Sequence, residues 1–374
     1  MMNMTLLAPD NALGFPAPYW FIIFFKVLGF TLHMVPMNIW YAGLITMLLL
    51  RKFGGENAKR LSDRVLNAMP VIISIGVNFG IVPLLFTQVA YYKVFYPATI
   101  LMAWPWFSIF ILLTAAYYGV YYYVVGLRSG TMTGIKYAVG WVSAISFMLI
   151  GFLFANSFSL MTNIGAWEGL WKANSIAGAS LGTALNTGDP VLIPRWLMMF
   201  GLALTTTAAY IMIDTGFFAG SEKDNYKKWV PDFALKIYLV GILWFAAAGS
   251  WYFFGTINPA VRAHQLEGNF FILTALTAVA PGIPFILILL FRKSLTKLKA
   301  LAIGLAQFIV LALNAISRQI VQNKELSAYL DVTGEKVNIQ WSPLIIFLLL
   351  FVIGVGIVVW MVMQVAKSPK KAEA

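Results

Sequence analysis

The sequence predicts an all-α protein, a polytopic bundle of about nine membrane-spanning helices. Of its 374 residues, 60% are hydrophobic and only 11% are charged, and the mean hydropathy is +0.81. Soluble globular domains do not have this balance. The apolar stretches are also continuous over the ~20 residues that a membrane helix needs, whereas the strands of a membrane barrel alternate apolar and polar side chains.

Composition also excludes several kinds of site. The chain has no cysteine, which rules out disulfides, thiolate-held iron–sulfur clusters and covalently attached c-type haem. The formal net charge of +12 is accounted for by basic loops on one side of a membrane. We therefore expect the lipid bilayer, and no nucleic acid, as a partner.

The first apolar stretch, Tyr19–Leu50, is the longest and carries the most informative polar residues. At ~1.5 Å per residue, a helix of this length exceeds a ~30 Å hydrocarbon layer, so it must tilt, kink or project. Pro36 removes a backbone donor near its middle and predicts a kink there. Lys26, His33 and Asn38 interrupt the apolar run. Groups of this kind are costly inside a membrane and face protein or water.

Eight further spans are predicted along the chain. Their approximate bounds are Met69–Tyr92, Ala98–Val125, Tyr137–Thr162, Trp196–Phe218, Phe233–Phe254, Phe270–Phe291, Leu298–Val321 and Pro343–Ala366. Lys and Arg concentrate in the connections after the first, third, fifth and seventh spans and in the tail. The positive-inside rule then places the N-terminus outside and the C-terminus in the cytoplasm. Accordingly, we expect an extracytoplasmic segment (1–18), a single transmembrane domain (19–366) and a cytoplasmic tail (367–374).

In this orientation, the polar groups of the spans gather in the extracytoplasmic half. They are Lys26, Gln88, Asn156, Arg318 and Gln319, with Met198 at a similar depth and His33 deeper. Such residues commonly mark a functional site. The alternative is that each one satisfies a neighbouring helix or extends to the interface. His264 lies beside Glu267 in a loop, but no cluster of ligands accompanies it, so no separate metal site is expected.

Several stretches, in order, resemble the large subunit of cytochrome bd quinol oxidases. They are GVNFGIVPLLFTQ (Gly76–Gln88), FANSFSLMTNIGAW (Phe154–Trp167), DPVLIPRWLMMF (Asp189–Phe200) and SRQIV (Ser317–Val321). The resemblance implies a nine-span bundle with its N-terminus outside, in the cytoplasmic (inner) membrane of a bacterium. On this basis we expect as partners other subunits of a respiratory complex, an extracytoplasmic cytochrome c or other redox protein, and quinone.

Most of the side chains that hold haem in that family are replaced in this chain. The histidine ligand of the low-spin haem falls on Met198, and a glutamate ligand of a high-spin haem falls on Ala315. The first-helix histidine corresponds to His33, although aligning the prolines instead puts Thr31 at that position. The resemblance therefore implies at most one b-type haem, with His33 and Met198 as candidate ligands. Lys26, Gln88, Asn156, Arg318 and Gln319 are the candidate contacts to a cofactor or partner.

Three functions follow from these observations. The first is a non-catalytic or electron-relay subunit of a respiratory oxidoreductase complex, which anchors an extracytoplasmic redox partner and holds one haem or contacts quinone. The second is a transporter or channel, suggested by prolines within the spans. The third is a divergent terminal oxygen reductase, which the scarcity of intramembrane carboxylates argues against.

Overall fold

The computed structural model describes residues 7–367, so residues 1–6 and 368–374, which include most of the predicted tail, lie outside it. Its helices are α1 Tyr19–Asn38, α2 Leu44–Phe53, α3 Glu56–Ala90, α4 Tyr92–Leu101, α5 Ala103–Arg128, α6 Gly134–Thr162, α7 Trp167–Ala173, α8 Leu192–Phe218, α9 Asp224–Ser250, α10 Pro259–Gln265, α11 Gly268–Val279, α12 Gly282–Phe291, α13 Lys297–Leu326 and α14 Trp341–Lys367. A two-stranded antiparallel ribbon joins β1 Ser175–Ile176 and β2 Ala179–Ser180.

The prediction of an all-α membrane bundle is confirmed. Within the described residues, eight helical segments are long and apolar enough to cross a membrane. The ninth predicted span coincides with α14, Trp341–Lys367. The sidedness of the chain stays a prediction.

Two predicted spans are interrupted in the structure. Ala98–Leu101 belong to α4, and the third span begins only at Ala103, because Met102 leaves the helical conformation. The backbone of the following loop pairs across this break, with Ala184 N–H donating to Leu101 O at 3.0 Å and Trp104 N–H donating to Gly182 O at 2.9 Å. The seventh span divides into α11 and α12 next to Pro281, which has no N–H to continue the helix.

Helix α8 lies at the centre of the bundle. The spanning window of α8 is 61% buried, whereas the other candidate spans are 22–39% buried. It packs closely on α9 because glycines face each other. A Cβ atom at Gly201 would lie 2.5 Å from the backbone nitrogen of Phe245, and one at Gly241 would lie 2.9 Å from the carbonyl oxygen of Gly201. Small residues allow such backbone contact between membrane helices.

A buried polar cluster joins α8 to three other helices, α1, α9 and α13. The Gln307 side chain of α13 accepts a hydrogen bond from the Tyr238 hydroxyl of α9 at 2.6 Å and donates to Thr205 and Thr206 of α8, both at 3.1 Å. Asn38 of α1 donates to the Thr206 hydroxyl at 2.9 Å. Since lipid offers no hydrogen-bond partner, these groups must satisfy one another.

A second polar cluster ties α3 to α8 and to the connection between α8 and α9. Arg64 forms a bidentate pair with Asp214, at 2.8 and 2.9 Å, and also contacts Glu222 at 3.0 Å. Arg60 donates to the same Glu222 carboxylate at 2.7–3.0 Å. The hydrogen bonds from Arg60 are the largest influence on Glu222 and lower the pKa of its carboxyl group below the usual value.

Replacing Gln307 by leucine removes the centre of the α8 cluster. We expect Gln307→Leu to lower the free energy of unfolding by about 1–2 kcal/mol, because three hydroxyl groups lose a partner inside the bundle. Unfolding of the purified protein in mixed micelles measures this loss. Asn78→Leu is the control, since Asn78 is exposed and bonds only within its own helix. Equal stability of the two variants would contradict the cluster's role.

The lowered pKa of Glu222 makes stability depend on pH. Its folded-state pKa lies below the unfolded value of about 4.3, so its stabilising contribution is present above that value and is lost as pH falls through the folded value. We expect acid to lower the melting temperature less steeply in Glu222→Gln than in the native protein. At neutral pH this variant should lose on the order of 1 kcal/mol. Parallel pH profiles for the two proteins would refute this contribution.

Candidate cofactor cavity

A cavity of about 450 Å³ lies between α1, α3, α5, α6 and α13, with one contribution from α8. This volume falls within the ~300–1,000 Å³ typical of small-molecule sites. Most of its lining is apolar or aromatic, including Phe30, Trp40, Trp106, Phe110, Phe147 and Phe154. The lining contains no aspartate or glutamate among the described residues. The site therefore suits a flat or elongated apolar ligand.

His33 contributes an imidazole to this cavity in a defined tautomer. Its Nδ1 lies 2.8 Å from the carbonyl oxygen of Gly76 on α3. A carbonyl can only accept, so Nδ1 carries the proton and, in the neutral ring, Nε2 keeps its lone pair. A histidine held in this way by a backbone carbonyl is oriented as metal-ligating histidines are.

The ring positions depend on glycines of the facing helices. A Cβ atom at Gly80 would lie 2.8 Å from His33 Cε1 and 2.9 Å from Nδ1. A Cβ atom at Gly76 would collide with the Trp40 ring, and one at Gly151 would lie 2.5 Å from the Tyr41 ring. These glycines make room for the cavity's ring side chains.

A π-helical turn, Ile39–Gly43, places two of those rings. It follows α1 directly, one residue after Asn38, and carries Trp40 and Tyr41. A π turn adds one residue to the helical turn and changes the faces on which the following side chains lie. The chain stays helical through Pro36 itself, so the irregularity expected at the proline lies in the turn that follows it.

One end of the cavity is polar and is organised around Lys26. This side chain is only 9% exposed, and its Nζ donates to the side-chain oxygens of Gln319 at 2.6 Å and Gln322 at 2.9 Å. It also lies 4.5 Å from the centre of the Tyr91 ring. The Gln319 amide in turn donates to the Tyr91 hydroxyl at 2.5 Å and to Asn323 at 3.0 Å.

Arg318 lines the same end of the cavity without an anionic partner. Its guanidinium stacks between the rings of Phe30 and Phe158, at 4.8 and 5.0 Å from their centres. Among the described residues it forms no ion pair, and the nearby Glu325 is paired with Arg195. Two basic side chains, Lys26 and Arg318, therefore face an apolar cavity whose described lining includes no carboxylate.

The structure brings together Lys26, His33, Arg318 and Gln319 of the candidate residues and places the other three elsewhere. Met198 packs among Leu202 and Phe245, while its neighbour Met199 lines the cavity. Asn156 is buried and accepts a hydrogen bond from the backbone N–H of Asn186 at 3.1 Å. That contact holds the α7–α8 loop.

Gln88 does not line the cavity either. It is half-buried near the end of α3. Gln322, Tyr91 and Asn323 belong to the site or its supporting network and were missed from the sequence. Gln322 follows Gln319 by three residues on one helix, and that spacing would have put both on one face.

Comparisons with known proteins support the fold. No family model matches the chain, and no curated protein matches it in sequence. Among solved structures, the bd oxidase from Geobacillus thermodenitrificans superposes with a TM-score of 0.65 over 96% of this chain and 100% of that chain. The fold is bd-oxidase-like. At 12% identity the likeness concerns the fold alone, so descent from the large subunit and loss of its haem ligands stay predictions.

The residues of the cavity fit a haem in their chemistry. A haem iron needs an axial ligand such as an imidazole nitrogen, and His33 offers Nε2 with its proton held on the other nitrogen. Haem also carries carboxylates at one edge of its macrocycle, and these require cations nearby. Lys26 precedes His33 by seven residues on the same face of α1, about 10 Å along the axis, and Arg318 lines the same cavity.

Gly80→Ala tests the position of the His33 ring against α3. The new methyl group would overlap the imidazole, so we expect the ring to move off Gly76 and the protein to lose about 1–2 kcal/mol of stability. Nitrogen chemical shifts of the labelled histidine report loss of the Nδ1 hydrogen bond. Gly282→Ala is the matched control, because no atom lies within 4 Å of a Cβ there. Unchanged histidine shifts in Gly80→Ala would contradict the geometry.

Proposed function

We propose that this chain is a membrane subunit of a bacterial respiratory electron-transfer complex that holds one b-type haem in its cavity. The observation that carries the proposal is His33, whose Nδ1 is fixed on Gly76 O so that Nε2 is available inside an apolar, aromatic-walled space. The bd-oxidase-like fold supports the respiratory setting. In this proposal the protein lies in the cytoplasmic (inner) membrane with its N-terminus outside.

Each group of the cavity has a separate task. His33 would hold the iron, while Lys26 and Arg318 would neutralise the carboxylates of the bound haem. The aromatic walls exclude water from the site. When bound, haem supplies one-electron transfer, and the protein supplies its ligand, its charge balance and its surroundings.

The proposed partner is an extracytoplasmic cytochrome c or another redox protein. Three segments at one end of the bundle support this, because they are joined into one surface. The N-terminal segment pairs with the α13–α14 loop through Phe15, Lys336 and Asn338, at 2.8 and 2.9 Å. Lys93, which follows α3, bonds to both Asp10 and Glu335. Although burial opposes its charge, these two carboxylates raise the pKa of Lys93 above its usual value.

Quinone is the second candidate occupant. Ile81 and Phe110, both on membrane-spanning helices, line the cavity and are 50% and 68% exposed. A ligand dissolved in the bilayer has a side entrance at that point, and Lys26 and Arg318 are donors for a quinone oxygen. A transporter has less support, since the helix broken at Pro281 does not line the cavity. An oxygen reductase has less support because the described lining of the cavity has no carboxylate.

The two histidines of the chain provide a matched test. We expect the purified protein to show a Soret band at about one haem per chain, and His33→Ala to lose at least about nine-tenths of it, because the imidazole that would hold the iron is gone. His264→Ala should keep the band, since His264 lies outside this cavity. Reduced-minus-oxidised spectra and pigment extraction measure the haem content.

Two results would count against the haem. One is a correctly folded native protein without a Soret band, and the other is a band that survives in His33→Ala. A quinone in the organic extract of haem-free protein would then favour the second candidate.

A further inference from the structure

The polar end of the cavity has more hydrogen-bond donors than acceptors. Gln322 is 8% exposed, its oxygen accepts from Lys26, and its Nε2 has no partner among the described residues. Lys26 uses two hydrogen bonds, whereas an ammonium has three protons. Arg318, four residues before Gln322 on α13, forms no hydrogen bond within the described part of the chain and lines the same space.

An unpaired buried donor is costly, and a buried cation without a counter-charge is more so. The half-buried Arg195 avoids this cost within the protein, because it is paired with Glu325 and donates to the Tyr252 hydroxyl at 3.0 Å. No such carboxylate is placed beside Lys26 and Arg318 among the described lining residues. A bound anion with two oxygen acceptors would meet the requirements of all three donors.

The rest of the cavity indicates the chemistry of the other end of the ligand. Beyond the three donors its wall is mostly aromatic and aliphatic, with His33, Gln319 and Thr87 among the further polar side chains. Ile81 and Phe110, which are largely exposed and belong to membrane-spanning helices, mark the side entrance. A ligand that enters there is dissolved in lipid. It carries its charge at one end and an apolar body at the other.

We propose that Lys26, Gln322 and Arg318 form a carboxylate-binding site for an apolar, membrane-dissolved ligand. Two sources offer this chemistry: the propionates of a haem and the headgroup of a long-chain fatty acid. The inference rests on the cavity of the proposed function and deepens it, because it names the group that the polar end recognises. It does not depend on iron ligation by His33.

The experiment compares acids with their esters on the purified full-length chain in neutral detergent. The first pair of probes is tritiated palmitate with methyl palmitate as competitor, and the second is haem b with its dimethyl ester. Esterification removes the negative charge and leaves the apolar body. We expect the acid of at least one pair to bind saturably, and its ester to bind at least about tenfold more weakly.

Substitutions test whether the three donors cause the preference for the acid over its ester. Lys26→Met and Arg318→Met each keep an extended apolar side chain, and Gln322→Leu removes only the amide. We expect each to weaken binding of the acid, by about tenfold or more for the two cations, with little effect on the ester. Gln88→Leu is the control, because Gln88 is a half-buried amide that does not line the cavity. Melting curves confirm that each variant is folded, and Gln322→Leu keeps the test informative if either charge variant is not.

The outcomes separate this inference from the proposed function. Palmitate binding that needs Lys26 and persists in His33→Ala supports a fatty-acid site even where no haem binds. Haem binding that is lost on esterification supports the propionate source. Equal binding of acid and ester, or binding that Lys26→Met and Gln322→Leu leave unchanged, overturns the carboxylate site, even if His33 ligates haem.

Discussion

The hydrogen bonds from Lys26 to Gln319 and Gln322 are the contacts on which the site depends. They join α1 to α13, helices that are almost 300 residues apart in the chain. In lipid there is no water to satisfy an ammonium group, so its position is fixed wherever the protein supplies oxygen atoms. The pairing also brings in Tyr91, between α3 and α4, and thereby closes one end of the cavity with polar atoms.

Glycine serves two different purposes in this bundle. At Gly201 and Gly241 it lets the backbones of α8 and α9 touch, which gives the bundle its densely packed centre. At Gly76, Gly80 and Gly151 it instead receives the rings of Trp40, His33 and Tyr41. Because those rings are recessed into the facing helices, they line the cavity and leave its interior open. The same residue type thus builds a tight interface on one side of the molecule and a cavity on the other.

The similarity to a bd oxidase at 12% identity shows how little of a helical bundle depends on particular side chains. Apolar spans of suitable length, with small residues at their crossings, are enough to maintain the arrangement. Ligands and catalytic groups are a separate set of side chains, which can differ between proteins of one fold. In this chain that set comprises a histidine, two cations and two glutamines around an aromatic cavity. The proposed haem and carboxylate sites therefore depend on these side chains and not on the fold.

The sequence alone determined the protein class, the approximate spans and four residues of the site. Hydropathy is a sum over about 20 neighbouring residues, so it needs no knowledge of tertiary contacts. Those four are Lys26, His33, Arg318 and Gln319. They could be recognised because a polar residue within an apolar run is costly in a membrane unless another polar group contacts it.

Only the tertiary structure decided which polar residues meet. Met198 and Met199 differ by about 100° around α8, and no local pattern tells which of them faces the cavity. Asn156 is as polar and as buried as the site residues, yet it serves a loop that comes 30 residues later. Gln322 and Asn323 lie near a helix end, where polar residues ordinarily face water. Their role follows from contacts with α1 and with Tyr91, and such contacts depend on how distant helices pack, which the local sequence does not encode.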